Sequence, residues 1–220
     1  MKPNVLVFDA YGTLFNVHAL DGLIGRHFKR EASDISAWWR RKQLEYTWLH
    51  TLMGTYKPFS DLTFDALDFT FDQMGLSMPM VLRKQLLEAY LELDAFEGVS
   101  DLLPQLKSKG WDLAILSNAD SKMLKGAVAS NGLQEVFSTL LSADDIKLYK
   151  PRPEVYQMAV DYFDCSPQQI IFISSNTWDV AGAKQFGLRV AWLNRSGGTL
   201  EPLGPQPDWH LSDLAELLNL

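Results

Sequence analysis

Cysteine is nearly missing from this chain: Cys165 stands alone among 220 residues. A single thiol closes no internal disulfide, so nothing ties the chain to an oxidising compartment. Cys165 is expected to be a buried structural thiol rather than a nucleophile. Long apolar runs are missing too, with none approaching the ~18 residues of a membrane span. The start, Met1-Lys2-Pro3-Asn4, leads straight into a short apolar run and not into the long apolar stretch of a secretory leader. By absence of any address, the expected location is the cytoplasm. The third absence is basic charge. The formal net charge is -7, which leaves little surface for a phosphate backbone. Neither a nucleic-acid nor a membrane partner is expected, and no internal repeat or low-complexity tract is visible.

What is present is apolar content of 47% against 21% charged residues, the balance of an ordinary globular chain. Val5-Leu6-Val7-Phe8 is a short apolar run ending at Asp9, and similar runs recur at 113–116, 170–173 and 190–193. Such runs suit parallel strands covered on both faces. Helical stretches separate them. Val99 to Lys109 stops at Gly110, Ser121 to Ser130 at Asn131-Gly132, and Asp179 to Phe186 at Gly187, while Pro153 opens a helix to Phe163. Alternating strand and helix predicts an α/β fold with a mostly parallel sheet.

The stretch from Asn16 to Phe96 breaks that alternation. It holds helical segments with no strand run between them. Ser33-Asp34 precedes one over Ile35–Met53. Ser60-Asp61 opens a second, with Leu67, Phe71 and Met74 on one face, and Ser77 and Pro79 open a third that runs to Leu93. The expected division is a catalytic core of residues 1–15 and 97–220 with a helical module, 16–96, inserted after the first strand. Residues 196–207 read as a loop rich in glycine and proline, and a short helix over Asp213–Leu218 is expected to close the chain.

Ligands in open α/β sheets bind at the carboxyl ends of strands. Polar groups follow the candidate strands at Asp9-Ala10-Tyr11-Gly12-Thr13, at Ser117-Asn118 and at Ser174-Ser175-Asn176-Thr177-Trp178-Asp179, with Lys150-Pro151 between the last two. One strand-end Asp is weak evidence, because strands commonly end in polar residues where the chain turns. Carboxylate, hydroxyl or amide, amine and carboxylate again, in sequence, form a set.

That set resembles the haloacid dehalogenase superfamily and, more narrowly, its L-2-haloacid dehalogenases. The resemblance covers nearly the whole chain, including Asp9 to Phe15, Trp39-Arg40-Arg41-Lys42-Gln43-Leu44-Glu45-Tyr46, Tyr149-Lys150-Pro151 and Pro207-Asp208-Trp209. It implies a doubly wound, Rossmann-like (HAD-like) core with the inserted helices as a cap. Phosphatases of the superfamily carry a second Asp two residues after the first, where it ligates magnesium. Here that residue is Tyr11, and a phenol is a poor ligand for a hard cation. Neither a metal nor another cofactor is expected.

By this resemblance, Asp9 is the nucleophile that displaces halide from a small halogenated carboxylic acid and forms an ester, which water then hydrolyses. Lys150 holds Asp9 ionised. Asp179 anchors Lys150 and helps activate the water, with Asn176 and Ser174 as positioning partners. Thr13 donates to Asp9, or is simply a satisfied turn hydroxyl. Ser117 and Asn118 bind the substrate carboxylate, or are a polar loop start. Arg40 receives the halide, while Arg41 points ~100° away on the same helix. Tyr11, Leu44, Phe59 and Trp178 form apolar walls, and Tyr156 supports the site. One departure is Asn16, where the family commonly has Asp.

Other readings stay open on the residues alone. Ring opening of a strained cyclic amino acid such as azetidine-2-carboxylate would use the same Asp9 attack. A superfamily phosphatase is disfavoured by Tyr11, and a silent binding protein by the joint presence of Asp9, Arg40, Lys150 and Asp179. A homodimer is expected, with Trp38, Trp48, Phe64 and Phe69 either covered between subunits or filling the core of the helical module.

Overall fold

A computed structural model describes residues 4–220, so the expectation made on Met1-Lys2-Pro3 lies outside the described residues. Strand β1 (Val5–Phe8) is buried along its whole length. It is flanked by β2 (Asp112–Ser117) on one side and β4 (Ile170–Ser174) on the other. Two further strands follow outward, β3 (Thr139–Ser142) beside β2 and β5 (Arg189–Leu193) beside β4. A last strand, β6 (Trp209–Leu211), pairs with β5. All neighbours are parallel, in the order β3-β2-β1-β4-β5-β6. The chain therefore winds outward twice from the middle. The turning point lies between β1 and β4, where two strand ends part and leave a crevice.

β3 and β6 carry no expectation from the sequence. Both are short and peripheral, with too few residues to show a period. β6 directly follows the predicted loop, so that loop ends at an edge strand rather than at a helix. The expected short closing helix is a 3-10 helix over Leu214–Asn219, capped by Asp213 and Glu216.

Between β1 and β2 lie only helices and turns: α1 (Asp21–Gly25), α2 (Ala32–Met53), α3 (Phe59–Gln73) and α4 (Met80–Leu91), then α5 (Val99–Ser108) alongside the sheet. The long helix α2 begins before Ser33-Asp34, which sit in its first turn rather than ahead of it. Leu67 and Phe71 of α3 are buried as expected and Met74 is half-buried. Trp39 of α2 donates its indole N–H to the Thr63 carbonyl of α3 at 2.9 Å. Arg83 of α4 clasps Asp68 of α3 in a bidentate pair, both contacts 2.8 Å. The ingoing and outgoing chains run side by side, with Asn16 donating to Asp94, Phe96 donating to Leu14, and Phe15 bridging Ala95 antiparallel. Among the described residues no helix is long and apolar enough to cross a membrane.

The remaining helices are α6 (Ser121–Ser130), α7 (Pro153–Phe163) and α8 (Thr177–Phe186). α8 starts at Thr177, so Asp179 lies within its first turn. Gly182 explains how closely α8 approaches its neighbours. A Cβ there would sit 2.5 Å from the Pro151 Cβ and 2.6 Å from the Tyr156 hydroxyl. Cys165 is half-buried rather than fully buried, and burial with the nearby Asp164 charge pushes its thiol pKa up. Trp38 and Phe69 are exposed, and Trp48 and Phe64 half-buried.

Candidate active site

β1 delivers Asp9 to the crevice, and the tight turn after it requires Gly12 at φ +90°, a left-handed conformation that costs other residues energy. That turn brings Thr13 back over the strand end. The Thr13 hydroxyl donates to Asp9 Oδ2 at 2.9 Å and itself accepts from the Ser175 N–H at 2.9 Å. Asn176 Nδ2 donates to the same oxygen at 2.8 Å. The other oxygen, Oδ1, accepts from Lys150 Nζ at 2.9 Å.

Lys150 comes from the loop after β3 and is fully buried, with 0% exposure. Its three ammonium hydrogens meet three acceptors: Asp9 Oδ1, the Leu116 carbonyl at 3.0 Å and Asp179 Oδ2 at 2.7 Å. Burial alone would drive Lys150 towards its neutral form. The charges of Asp179 and Asp9 outweigh burial and hold its pKa above the ordinary lysine value. Two carboxylates share one ammonium, so the buried trio carries one charge in excess when both are ionised. The strain falls on Asp179. Burial, joined by the Asp9 charge, pushes its pKa up to about 6 against the opposing pull of Lys150 and Tyr156. Tyr156 donates its hydroxyl to Asp179 Oδ1 at 2.7 Å, and burial keeps that phenol protonated.

Asp9, Tyr11, Arg40, Leu44, Phe59, Ser117, Asn118 and Trp178 line one small cavity. The expected apolar walls thus meet the expected nucleophile. Arg40 reaches it from α2, with Nη1 donating to Gln43 Oε1 at 2.7 Å and Nη2 to the Tyr11 carbonyl at 3.2 Å. Among the described residues no carboxylate lies within 4.0 Å of its guanidinium. Arg41 is exposed and points elsewhere, over the Trp38 ring.

Several expected roles shift. Ser174 and Tyr156, grouped by the resemblance with the substrate-binding residues as well as with the supporting ones, are fully buried and stand behind the cavity. Ser174 accepts from the Asn176 N–H at 3.1 Å, and Asn176 serves Asp9 rather than Asp179. The Ser117 hydroxyl accepts from Ala119. Asn118 Oδ1 is occupied by the Lys150 N–H at 2.8 Å, which fixes the lysine's backbone, while its Nδ2 is buried with no partner among the described residues. Gln43, Thr63 and Tyr90 carry no expectation of their own. Gln43 Nε2 donates to Thr63 at 2.7 Å and its Oε1 also accepts from Tyr90 at 3.0 Å, forming the seat of Arg40. Polar residues spaced along α2 at 36, 40 and 43 were the signal available, and it does not distinguish a buried face from a wet one.

A family model described as haloacid dehalogenase-like hydrolase matches residues 3–187. The chain is 42% identical over 215 residues to an (S)-2-haloacid dehalogenase of Pseudomonas sp. (strain YL), covering 98% of this chain and 93% of the relative. It is 39% identical over 219 residues to haloacetate dehalogenase H-2 of Moraxella sp. (strain B), covering 100% and 98%. Among solved structures, an L-2-haloacid dehalogenase from Xanthobacter autotrophicus with chloropropionic acid covalently bound superposes with a TM-score of 0.89 at 32% identity, covering 99% of this chain and 98% of that one.

Proposed function

The chain belongs to the haloacid dehalogenase-like hydrolases, and we propose that it hydrolyses short-chain L-2-haloacids to D-2-hydroxy acids through a covalent ester on Asp9, without a metal ion. The observation that carries this reading is the pairing across one cavity of the buried Asp9 carboxylate with Arg40, a guanidinium with no carboxylate partner among the described residues. A monoanionic carboxylate nucleophile needs a cation where the leaving group's charge develops, and Arg40 supplies one.

Asp9 Oδ1, which among the described residues accepts only from Lys150, attacks the halogen-bearing carbon from behind. The carbon–halogen bond breaks and its electrons leave as halide towards Arg40. The ester's carbonyl oxygen is then Oδ2, already held by Thr13 and Asn176, and these donors stabilise the oxyanion formed when water attacks the Asp9 carboxyl carbon. Asp179 takes the water's proton. Collapse breaks the ester bond, Asp179 returns its proton to the departing hydroxy-acid oxygen, and Asp9 releases the second water proton to solvent as it regains its carboxylate. The substrate carbon is inverted once, so an L-halide gives a D-alcohol. The covalently bound chloropropionic acid of the Xanthobacter relative supports the ester. Metal independence is supported by Tyr11 and by Lys150 Nζ, which lies between Asp9 and Asp179 where a cation would otherwise bridge them. In this reading residues 16–96 are the cap and the rest the core. A cytoplasmic homodimer completes the reading, with the exposed Trp38 and Phe69 offered to a second subunit.

Halide release from L- and D-2-chloropropionate, with and without EDTA, tests the reaction. Release from the L-isomer, insensitive to EDTA, is expected; no release from either isomer refutes it. A single turnover in ¹⁸O-water should place the label in the Asp9 carboxylate. Label found only in the hydroxy acid would rule out the ester.

A further inference from the structure

The cavity at Asp9 is ≈ 10 Å³, room for about one water. A two- or three-carbon acid enters only if the wall moves. Arg40 and Leu44 of that wall also line a second cavity of ≈ 420 Å³, between α2, α4, α1 and the turn at Val17–Leu20. These two side chains are therefore a partition between a small inner space and a much larger outer one.

The partition is held without an ionic lock. Arg40 is bound by neutral acceptors, one short contact to Gln43 at 2.7 Å and longer ones to the Tyr11 carbonyl at 3.2 Å and Tyr90 at 3.5 Å. The outer cavity also differs in charge from the rest of the molecule. Arg40 and Arg41 both line it, and Arg41 has no carboxylate within 4.0 Å among the described residues. Against them stands Asp21, whose Oδ2 lies 3.9 Å from His18 and whose Oδ1 is buried without a hydrogen bond among the described residues. Two guanidiniums against one carboxylate make a locally positive mouth on a chain of net charge -7.

We propose that the outer cavity is the receiving site for the anionic substrate: Arg41 draws the carboxylate in, and Arg40 and Leu44 swing aside to admit it to Asp9. The proposal rests on the dehalogenase reading. A residue on a route differs from a contact in the bound state, because microscopic reversibility makes a blocked route slow entry and exit alike.

The test is stopped-flow tryptophan fluorescence with Asp9→Asn protein and L-2-chloropropionate, with Trp39 at the outer cavity and Trp178 at the inner one as the reporters nearest the route. Ala37, exposed on α2 and lining the outer cavity, is replaced by Phe to narrow the mouth. The association and dissociation rates should both fall about tenfold with Kd unchanged. Arg41→Gln should lower association about threefold at low salt and flatten its dependence on ionic strength. An association rate unchanged by Ala37→Phe overturns the route. So does a rise in Kd with dissociation unaltered, which makes position 37 a contact instead. Association in Arg41→Gln that matches the parent at every salt concentration overturns the role of Arg41. If Asp9→Asn protein binds no chloropropionate at all, the dehalogenase reading fails and the route with it.

Discussion

The two walls of the cavity are built on opposite plans. On the sheet side, Asp9, Lys150 and Asp179 are buried, and the described polar contacts among them form a closed network with Thr13, Asn176 and Tyr156. On the helical side, one half-buried guanidinium rests on neutral acceptors. A buried ion network tolerates no missing member, because each loss strands an uncompensated charge. A cation on neutral acceptors is held loosely and keeps its charge available. The difference teaches where rigidity and adjustability sit: the nucleophile is fixed, and the groups that meet the substrate are free to yield.

That contrast breaks most sharply under substitution of the two cations. Lys150→Met leaves Asp9 and Asp179 facing each other in the interior, and urea unfolding should show a loss of about 3–5 kcal/mol. Arg40→Met should cost about 1 kcal/mol or less in the same experiment, yet lower kcat by roughly 10²–10³. If Arg40→Met unfolds the protein while Lys150→Met does not, the comparison is wrong.

A smaller effect tests how the rigid side is packed. Gly182→Ala places a methyl against Pro151 and the Tyr156 hydroxyl, and overpacking of this kind costs about 1–3 kcal/mol. The Asp179–Tyr156 contact should be displaced, so kcat falls with stability. A fully active, fully stable Ala variant would mean that α8 has room to spare.

The smallest effect is in pH dependence. With its pKa pushed up to about 6, folded Asp179 binds a proton more tightly than the unfolded chain does. Its contribution to stability is therefore greatest in acid and is lost as pH rises from the ordinary carboxylate value through about 6. Turnover, which uses the ionised form, should fall off below that same pH. The raised Lys150 pKa acts only in alkali, because its contribution persists until pH exceeds the folded value. Tyr156→Phe removes a donor that favours ionised Asp179, so the acid limb of kcat should move to higher pH. A limb that stays in place would mean that Asp179 is not the group it reports.

Much of this arrangement is legible along the chain because it is local. Val5–Phe8 reads as a buried strand from four apolar residues, and Asp9 with Thr13 belongs to the turn that follows it. Three of the four α-helices of the inserted stretch are legible from their apolar faces, although α2, like α8 of the core, starts before the expected position; α1, five residues long, is too short to show a face. Short edge strands such as β6 have no such signature, since three residues cannot display a period and their pairing partner lies elsewhere in the sequence.

By itself the sequence determined the parallel α/β character, the carboxylate at the strand end and the phenol at Tyr11 in place of a second acid. These follow from residue type and local order. Only the tertiary structure decided that Asn176 serves Asp9, that Tyr156 holds Asp179 from behind the cavity, and that Thr63 and Tyr90 fix the Gln43 that seats Arg40. Those contacts join residues brought together by the winding of the sheet or by the inward rotation of a helix. Their energies depend on burial and on distances between a few ångströms' worth of side-chain ends, which spacing along a chain does not record.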